Sequence, residues 1–311
     1  MGRDRFLKGK SPVNVGASVR ARLLTVSKER REDFTLTLMN YAAERFLYRL
    51  SQSPRRDQFV LKGAMLFAVQ IGEPYRPTRD LDLLGMGEPT QSAIATAVRD
   101  IATTPAADDG LSFDVDSLRV HPIREDNRYG GIRAAMQARL AEARIHVQID
   151  VGFGDAITPA AIDLSFPTLL ADMSAPKVLA YPTETIVAEK VEAMVDLGLS
   201  NSRMKDFADV AMAARRVAFD GDTLAAALRA TFRRRGTTLP GSEVVALSDR
   251  FLGDQNAQAN WRAFVTRNRP RELESLAQVV AELRVFLLRP LEHARTGTPL
   301  PVRWLPGGPW T

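Results

Sequence analysis

Asp80 and Asp82 stand one residue apart in the stretch RDLDLLG. Alternate residues of a strand project to one face, so both negative charges point the same way. Like charges that close repel, and they are held either by water or by something positive, for which a divalent cation is the commonest solution. Upstream, FVLKG brings Lys62 and Gly63 to the start of the apolar run AMLFAVQIG. A glycine turn entering a helix lets the backbone approach an anion where unpaired N–H groups favour it. Downstream, in ARIHVQIDVG, Ile145, Val147 and Ile149 share one face and His146, Gln148 and Asp150 the other. Asp150 is therefore a candidate third carboxylate, as a metal ligand or as a general base. Asp114 and Asp116 repeat the spacing, but no glycine turn precedes them, and a solvated edge strand accounts for that pair.

The elements that must position these groups follow from periodicity. Residues 15–52 read as helix, with Leu36, Met39, Ala43, Phe46, Leu47 and Leu50 at spacings of three and four. SPRRD ends it, QFVLKG is a strand, AMLFAVQIG a short helix stopping at Gly72, and DLDLLG the next strand. TQSAIATAVRDIATTP is helical, and LSFDVDSLRVHPI, YGGIRAAMQARL and ARIHVQIDVGFGD form a meander of strands. The mixed sheet is expected to end near Asp155, and Pro182 to mark a boundary. Helices follow at 183–199, 203–218, 220–233, 242–252, 254–268 and 271–289. The Pro- and Gly-rich end, RPLEHARTGTPLPVRWLPGGPWT, is expected to lie extended on the surface. The resulting organisation is N-terminal helices over 1–55, an α/β core over 56–182, a helical module over 183–290 that contributes to the site, and an extended tail over 291–311.

Composition narrows the chemistry further. The 311 residues hold no cysteine and three histidines, His121, His146 and His293. Disulfide partners, thiolate nucleophiles and Cys-ligated zinc are excluded, and a multi-histidine site is not expected. No apolar run has the length of a membrane span, and the basic N-terminus lacks the apolar core of a secretion signal, so a cytoplasmic protein with no membrane partner is expected. The net charge of +5 favours polyanionic partners.

The succession of strand, Gly63 turn, helix and Asp80-Leu81-Asp82 resembles the signature of the nucleotidyltransferase superfamily related to DNA polymerase β. More narrowly, FVLKGAMLFAVQIGEPYRPTRDLDLL looks like the first motif of the AbiEii/AbiGii nucleotidyltransferase toxin family, and TETIVAEKVEAMVDLGLSNSRMKDFADV is similar to its later motifs. Together they cover residues 59 to 212. The resemblance implies a polymerase-β-like α/β (α+β) core with a mixed sheet, followed by a mainly helical C-terminal module. It implies an NTP-dependent nucleotidyltransferase using Mg²⁺, with Mn²⁺ as a substitute, held by Asp80, Asp82 and Asp150. It further implies a toxin with a cognate antitoxin that transfers NMP to an RNA, at the tRNA 3′ end, and so blocks translation. A protein hydroxyl or small-molecule acceptor, or a binding module without catalysis, are the alternatives. Ala64 stands where the superfamily has Gly or Ser, so triphosphate binding must lean on the backbone and on basic side chains.

Lys62, Gly63, Ala64, Arg79 and Lys190 are the candidate nucleotide-binding residues. Lys190 lies on the margin of the stripe Val187, Val191, Met194, Val195 and Gly198, where a lysine either snorkels or faces phosphate. On the next helix Phe207, Ala211, Ala214 and Ala218 form the stripe. Asp206 flanks it and is expected to turn inward, whereas Asp209 falls nearly opposite. Asp206 would hold Lys190, orient the base or acceptor, or simply lock two helices. The resemblance also makes Thr78 a candidate for regulatory phosphorylation. Arg233, Arg234 and Arg235 at one helix end, and Arg267, Arg269 and Arg271 around a helix junction, could track an RNA backbone or merely suit helix C-termini.

Overall fold

The structure, a computed structural model, describes residues 14–72, 78–106, 108–123, 130–241, 243–268 and 275–311. The expected helix over 15–52 is two helices, α1 (Val15–Arg30) and α2 (Phe34–Gln52). Arg31 takes a left-handed conformation at φ 55° that ends α1, and the Asp33 side chain accepts the Leu36 N–H to start α2. Residues 27–33, SKERRED, hold no apolar residue, so periodicity carries no signal at the break.

Next come β1 (Phe59–Lys62), α3 (Gly63–Gln70), β2 (Leu81–Gly85) and α4 (Gln91–Thr103). The meander is present as β3 (Leu111–Ile123), β4 (Gly131–Leu140) and β5 (Ala143–Phe153), each antiparallel to the next. The sheet does not end near Asp155, because β6 (Ile162–Ser165) and β7 (Lys177–Ala180) extend it beyond β1. IDLS is largely exposed, so it lacks the apolar alternation that marks a strand. Among the described residues the sheet is seven-stranded and mixed, in the order β3-β4-β5-β2-β1-β7-β6. Two parallel pairings, β2 with β5 and β1 with β7, sit at its centre. Helix α2 packs across β5 and β7, burying Tyr41, Phe46, Leu47 and Leu50. As expected for Asp114 and Asp116, β3 lies at the sheet edge.

The remainder is mainly helical: α5 (Thr183–Leu197), α6 (Met204–Arg216), β8 (Phe219–Asp220), α7 (Gly221–Arg235), α8 (Asp249–Gly253), α9 (Gln255–Asn268), α10 (Leu276–Thr296) and β9 (Arg303–Trp304). The helix expected over 242–252 is only a 3₁₀ turn at Val245–Leu247 and the short α8, because the Ser248 side chain starts a new helix at Phe251 N–H. Helix α10 runs through Pro290 rather than stopping at 289.

The C-terminal segment is not a surface tail. Trp304 and Trp310 are buried on Phe286, with ring centroids at 4.9 and 5.8 Å. Pro290 has no N–H to give the carbonyl of Phe286 four residues back, and the Trp310 indole N–H donates to that carbonyl instead, at 2.9 Å. The Trp304 indole and the Gly307 N–H both donate to the carbonyl of Ala214 near the end of α6, at 2.6 and 2.9 Å. Prolines and glycines in this segment shape the turns that bring the two indoles onto helix carbonyls needing donors.

Candidate active site

The β1–α3 turn is fixed by Gly63, at φ 75°, which L side chains rarely adopt. A Cβ there would overlap the Asp82 carboxylate, because β1 and β2 pair with Lys62 opposite Asp82. The glycine thus serves two needs, a left-handed turn and close approach. Leu81 and Leu83 are buried in the core, which leaves Asp80 and Asp82 to face a cavity of about 610 Å³. Asp82 is also in register with Asp150 on the parallel neighbour β5. Burial, with repulsion from Asp150 and Asp80, pushes the Asp82 carboxyl up to about 6, in spite of Lys62. Burial and Asp150 raise Asp80 as well.

Asp150 alternates with buried Ile149 and Val151, so the expected strand register holds. Its two oxygens are occupied by one guanidinium: Arg133 on β4 donates Nε to Oδ1 at 2.8 Å and Nη2 to Oδ2 at 2.6 Å.

Helices α5 and α6 close the cavity. Lys190 Nζ reaches Asp206 Oδ1 at 3.0 Å and Asp209 Oδ2 at 2.5 Å, and Arg203 Nε donates to Asp206 Oδ2 at 2.7 Å. The expectation that Asp209 faces away is corrected: Asp206 and Asp209 are both fully buried. Helix α6 is wrapped by α5, α9 and α10, so its polar side is as enclosed as its apolar stripe. Burial would raise both carboxyls. Lys190 and Arg203 outweigh it at Asp206 and hold that group below the usual carboxylate range, whereas burial pushes Asp209 well above it.

A further charged cluster lines the same cavity. Lys62 Nζ pairs with Asp155, and with Glu189 Oε1 at 3.2 Å, while the Tyr181 hydroxyl donates to Asp155 Oδ2 at 3.0 Å. Arg235 donates to Glu192 Oε2 at 2.7 Å and lies 3.5 Å from Glu189 Oε1. Burial would lower the Lys62 pKa, but Glu189 and Asp155 hold it above the usual lysine value. Lys62 thus stays charged, between this cluster and Asp82.

Of the residues chosen from sequence, Lys62, Gly63, Ala64, Thr78, Asp80, Asp82, Asp150, Lys190 and Asp206 line one cavity. Arg79 is exposed and is not among its lining residues. Arg235 is turned into the cavity against Glu189 and Glu192 rather than lying on the open surface expected of a basic helix end. Arg234 donates to the Gly154 carbonyl, while Arg233 and Arg267 are exposed. Arg269 and Arg271 lie outside the described residues. The sequence reading passed over Arg133, Asp155, Tyr181, Glu189 and Glu192. Arg133 was within reach: Leu140 pairs with Ala143 across the turn, and counting seven residues away along each strand puts Arg133 opposite Asp150.

A model of the family described as nucleotidyl transferase AbiEii toxin, type IV toxin–antitoxin system, matches residues 45–282. The chain belongs to this family. It is accordingly a nucleotidyltransferase, and family membership implies a cognate antitoxin. No curated protein matches the chain. Among solved structures it is similar to JHP933 from Helicobacter pylori at 14% identity and a TM-score of 0.45, covering 83% of this chain and 91% of that one. An antigenic nucleotidyltransferase-like protein from Paracoccidioides brasiliensis is 14% identical at a TM-score of 0.33, covering 87% and 94%. No helix among the described residues is long and apolar enough to cross a membrane.

The residues present fit a divalent cation. Asp80 and Asp82 offer hard oxygen donors whose ionised forms crowd one another. Magnesium is commonly held by one or two carboxylates together with substrate phosphates. Among the described residues no three acidic or histidine side chains converge as a ready-made cage, and Arg133 holds both oxygens of Asp150.

Proposed function

We propose that this toxin is a Mg²⁺-dependent enzyme that transfers NMP from an NTP to an RNA acceptor, at the 3′ end of tRNA. The observation that carries the reading is the meeting of Asp80, Asp82 and the Gly63 turn at one cavity wall, in a chain of the AbiEii family. Asp80, Asp82 and Asp150 would hold the ion, which when bound supplies charge neutralisation at the phosphates. The N-terminus of α3 and Lys62 would receive the triphosphate, since backbone N–H groups and an ammonium both favour anions. The acceptor hydroxyl oxygen bonds to the α-phosphorus, the bond to pyrophosphate breaks, and the hydroxyl proton passes to Asp150. Lys190, held by Asp206, faces the same cavity and would bind a phosphate oxygen. Thr78 lines the cavity as well, so a phosphoryl group there would set about two negative charges where the substrate's phosphates belong. Exposed Arg233 and Arg267 would track the RNA backbone.

The test is transfer of label from each of the α-³²P NTPs to total tRNA with Mg²⁺, beside an Asp80→Ala control. Labelled tRNA from wild type and none from the variant supports the reading. Label on protein alone, or transfer surviving Asp80→Ala, would sink it.

A further inference from the structure

We propose that Arg133 is a built-in competitor of the divalent metal, occupying Asp150 until the metal or substrate displaces it. The inference rests on the proposed function in that the metal comes from that reading. Three observations carry it. First, the fork takes both carboxylate oxygens, at 2.8 and 2.6 Å, the planar geometry in which guanidinium binds carboxylate most strongly. Second, the contact is fixed at the level of the backbone, because Arg133 and Asp150 are directly paired on β4 and β5, while Asp150 is also paired with Asp82 on its other side. A positive charge therefore stands beside the carboxylates that would hold the cation, and Asp150, Asp80 and Asp82 all stabilise it.

Third, the guanidinium has somewhere else to go. Its side chain is one-third exposed, at 33%. It also lines a second, shallower cavity of about 460 Å³ with His121, Pro122 and Ile123. Turning into that space would release Asp150 toward Asp82 without moving either strand. The competing account is that Arg133 is a positioning residue whose fork aims Asp150 at the metal. The two accounts predict opposite signs: losing a competitor tightens metal binding, and losing a support loosens it.

The experiment measures Mn²⁺ binding to the full chain by the electron paramagnetic resonance signal of free Mn²⁺, with no nucleotide, acceptor or turnover. Arg133→Gln should tighten Mn²⁺ by roughly tenfold, since removing a unit charge a few ångströms from a divalent ion relieves substantial repulsion even at water-like screening. Arg133→Lys keeps the charge but loses the fork, and should fall between the two. Arg133→Gln binding no tighter than wild type, or tightening undiminished in the Asp150→Asn background, would overturn the proposal. Thermal melts without metal show that each variant is folded. Absence of nucleotide transfer to every acceptor, with the tightening present, would defeat the proposed function and leave this inference standing.

Discussion

Replacing Gly63 by alanine tests whether the turn and the carboxylate pair form one machine. The residue sits at φ 75°, where a side chain costs about 1 kcal/mol. The added Cβ would lie 2.5 Å from both Cβ and Cγ of Asp82, about 1 Å inside the ~3.5 Å optimum for carbon pairs. Strand pairing of Lys62 with Asp82 prevents the backbones from separating, so the Asp82 carboxylate must turn away. Overpacking of this kind costs about 1–3 kcal/mol. Gly63→Ala should therefore lose about 2–4 kcal/mol in urea unfolding. A displacement of about 1 Å at a reacting group costs on the order of 100-fold in rate, and nucleotide transfer by the folded variant should fall by that much. Gly297 supplies the control, because it has the same φ of 75° with nothing within 4 Å of its Cβ position among the described residues. Gly297→Ala should lose about 1 kcal/mol and no activity. Wild-type transfer by folded Gly63→Ala would refute the reasoning.

Three further substitutions test the charge on Asp82 and the docking of the C-terminal segment. In the folded chain Asp82 titrates at about 6, above an unfolded value of ~3.9, so the folded state binds more protons in that window and loses stability as pH rises through it. Asp82→Asn should accordingly exceed wild type by about 1–3 kcal/mol at pH ~7 and match it near pH ~4 in urea unfolding; equal stability at both would show that the carboxylate is not crowded. Trp310→Ala removes the ring from Phe286 and the donor to the carbonyl that Pro290 leaves open, and should cost about 4 kcal/mol in thermal or urea melts. Trp310→Phe keeps a ring on Phe286 but loses the donor and part of the packing, and should cost less than the alanine change, at about 1–2 kcal/mol.

What the sequence could convey depended on how each element is buried. Strand β5 alternates between core and cavity, and so does the chain from Asp80 to Leu83 before both faces of β2 become buried at Leu84, so alternation put Asp80, Asp82 and Asp150 on the cavity side. The motif logic around Gly63 was equally legible, because a positive φ and close approach leave few alternatives to glycine. Helix α6 defeated the same kind of argument. A hydrophobic stripe predicts an outward polar face only when water lies beyond it, and at Asp209 another helix does. The C-terminal segment failed for a related reason: Pro and Gly read as exposed chain, while the two indoles that dock it carry no periodicity. Arg235 likewise looked like part of a solvated basic end, although the acids that draw it inward belong to a helix some forty residues earlier.

The docking of the two indoles also gives the molecule an optical signature. Of the three tryptophans, Trp304 and Trp310 sit in one dry aromatic cluster with Phe286, and Trp261 is buried beside Phe264. Native emission should be blue-shifted. Its red shift on mild heating would report release of the C-terminal segment, separately from the circular dichroism of the helices. Because Trp304 is hydrogen-bonded to α6 at Ala214, some 12 Å along the helix axis from Asp206 by the rise per residue, that signal monitors the far end of the helix that carries the buried acids. Emission thus becomes a way to ask, without labels, whether ligand in the cavity tightens the whole of α6 or only its first turn.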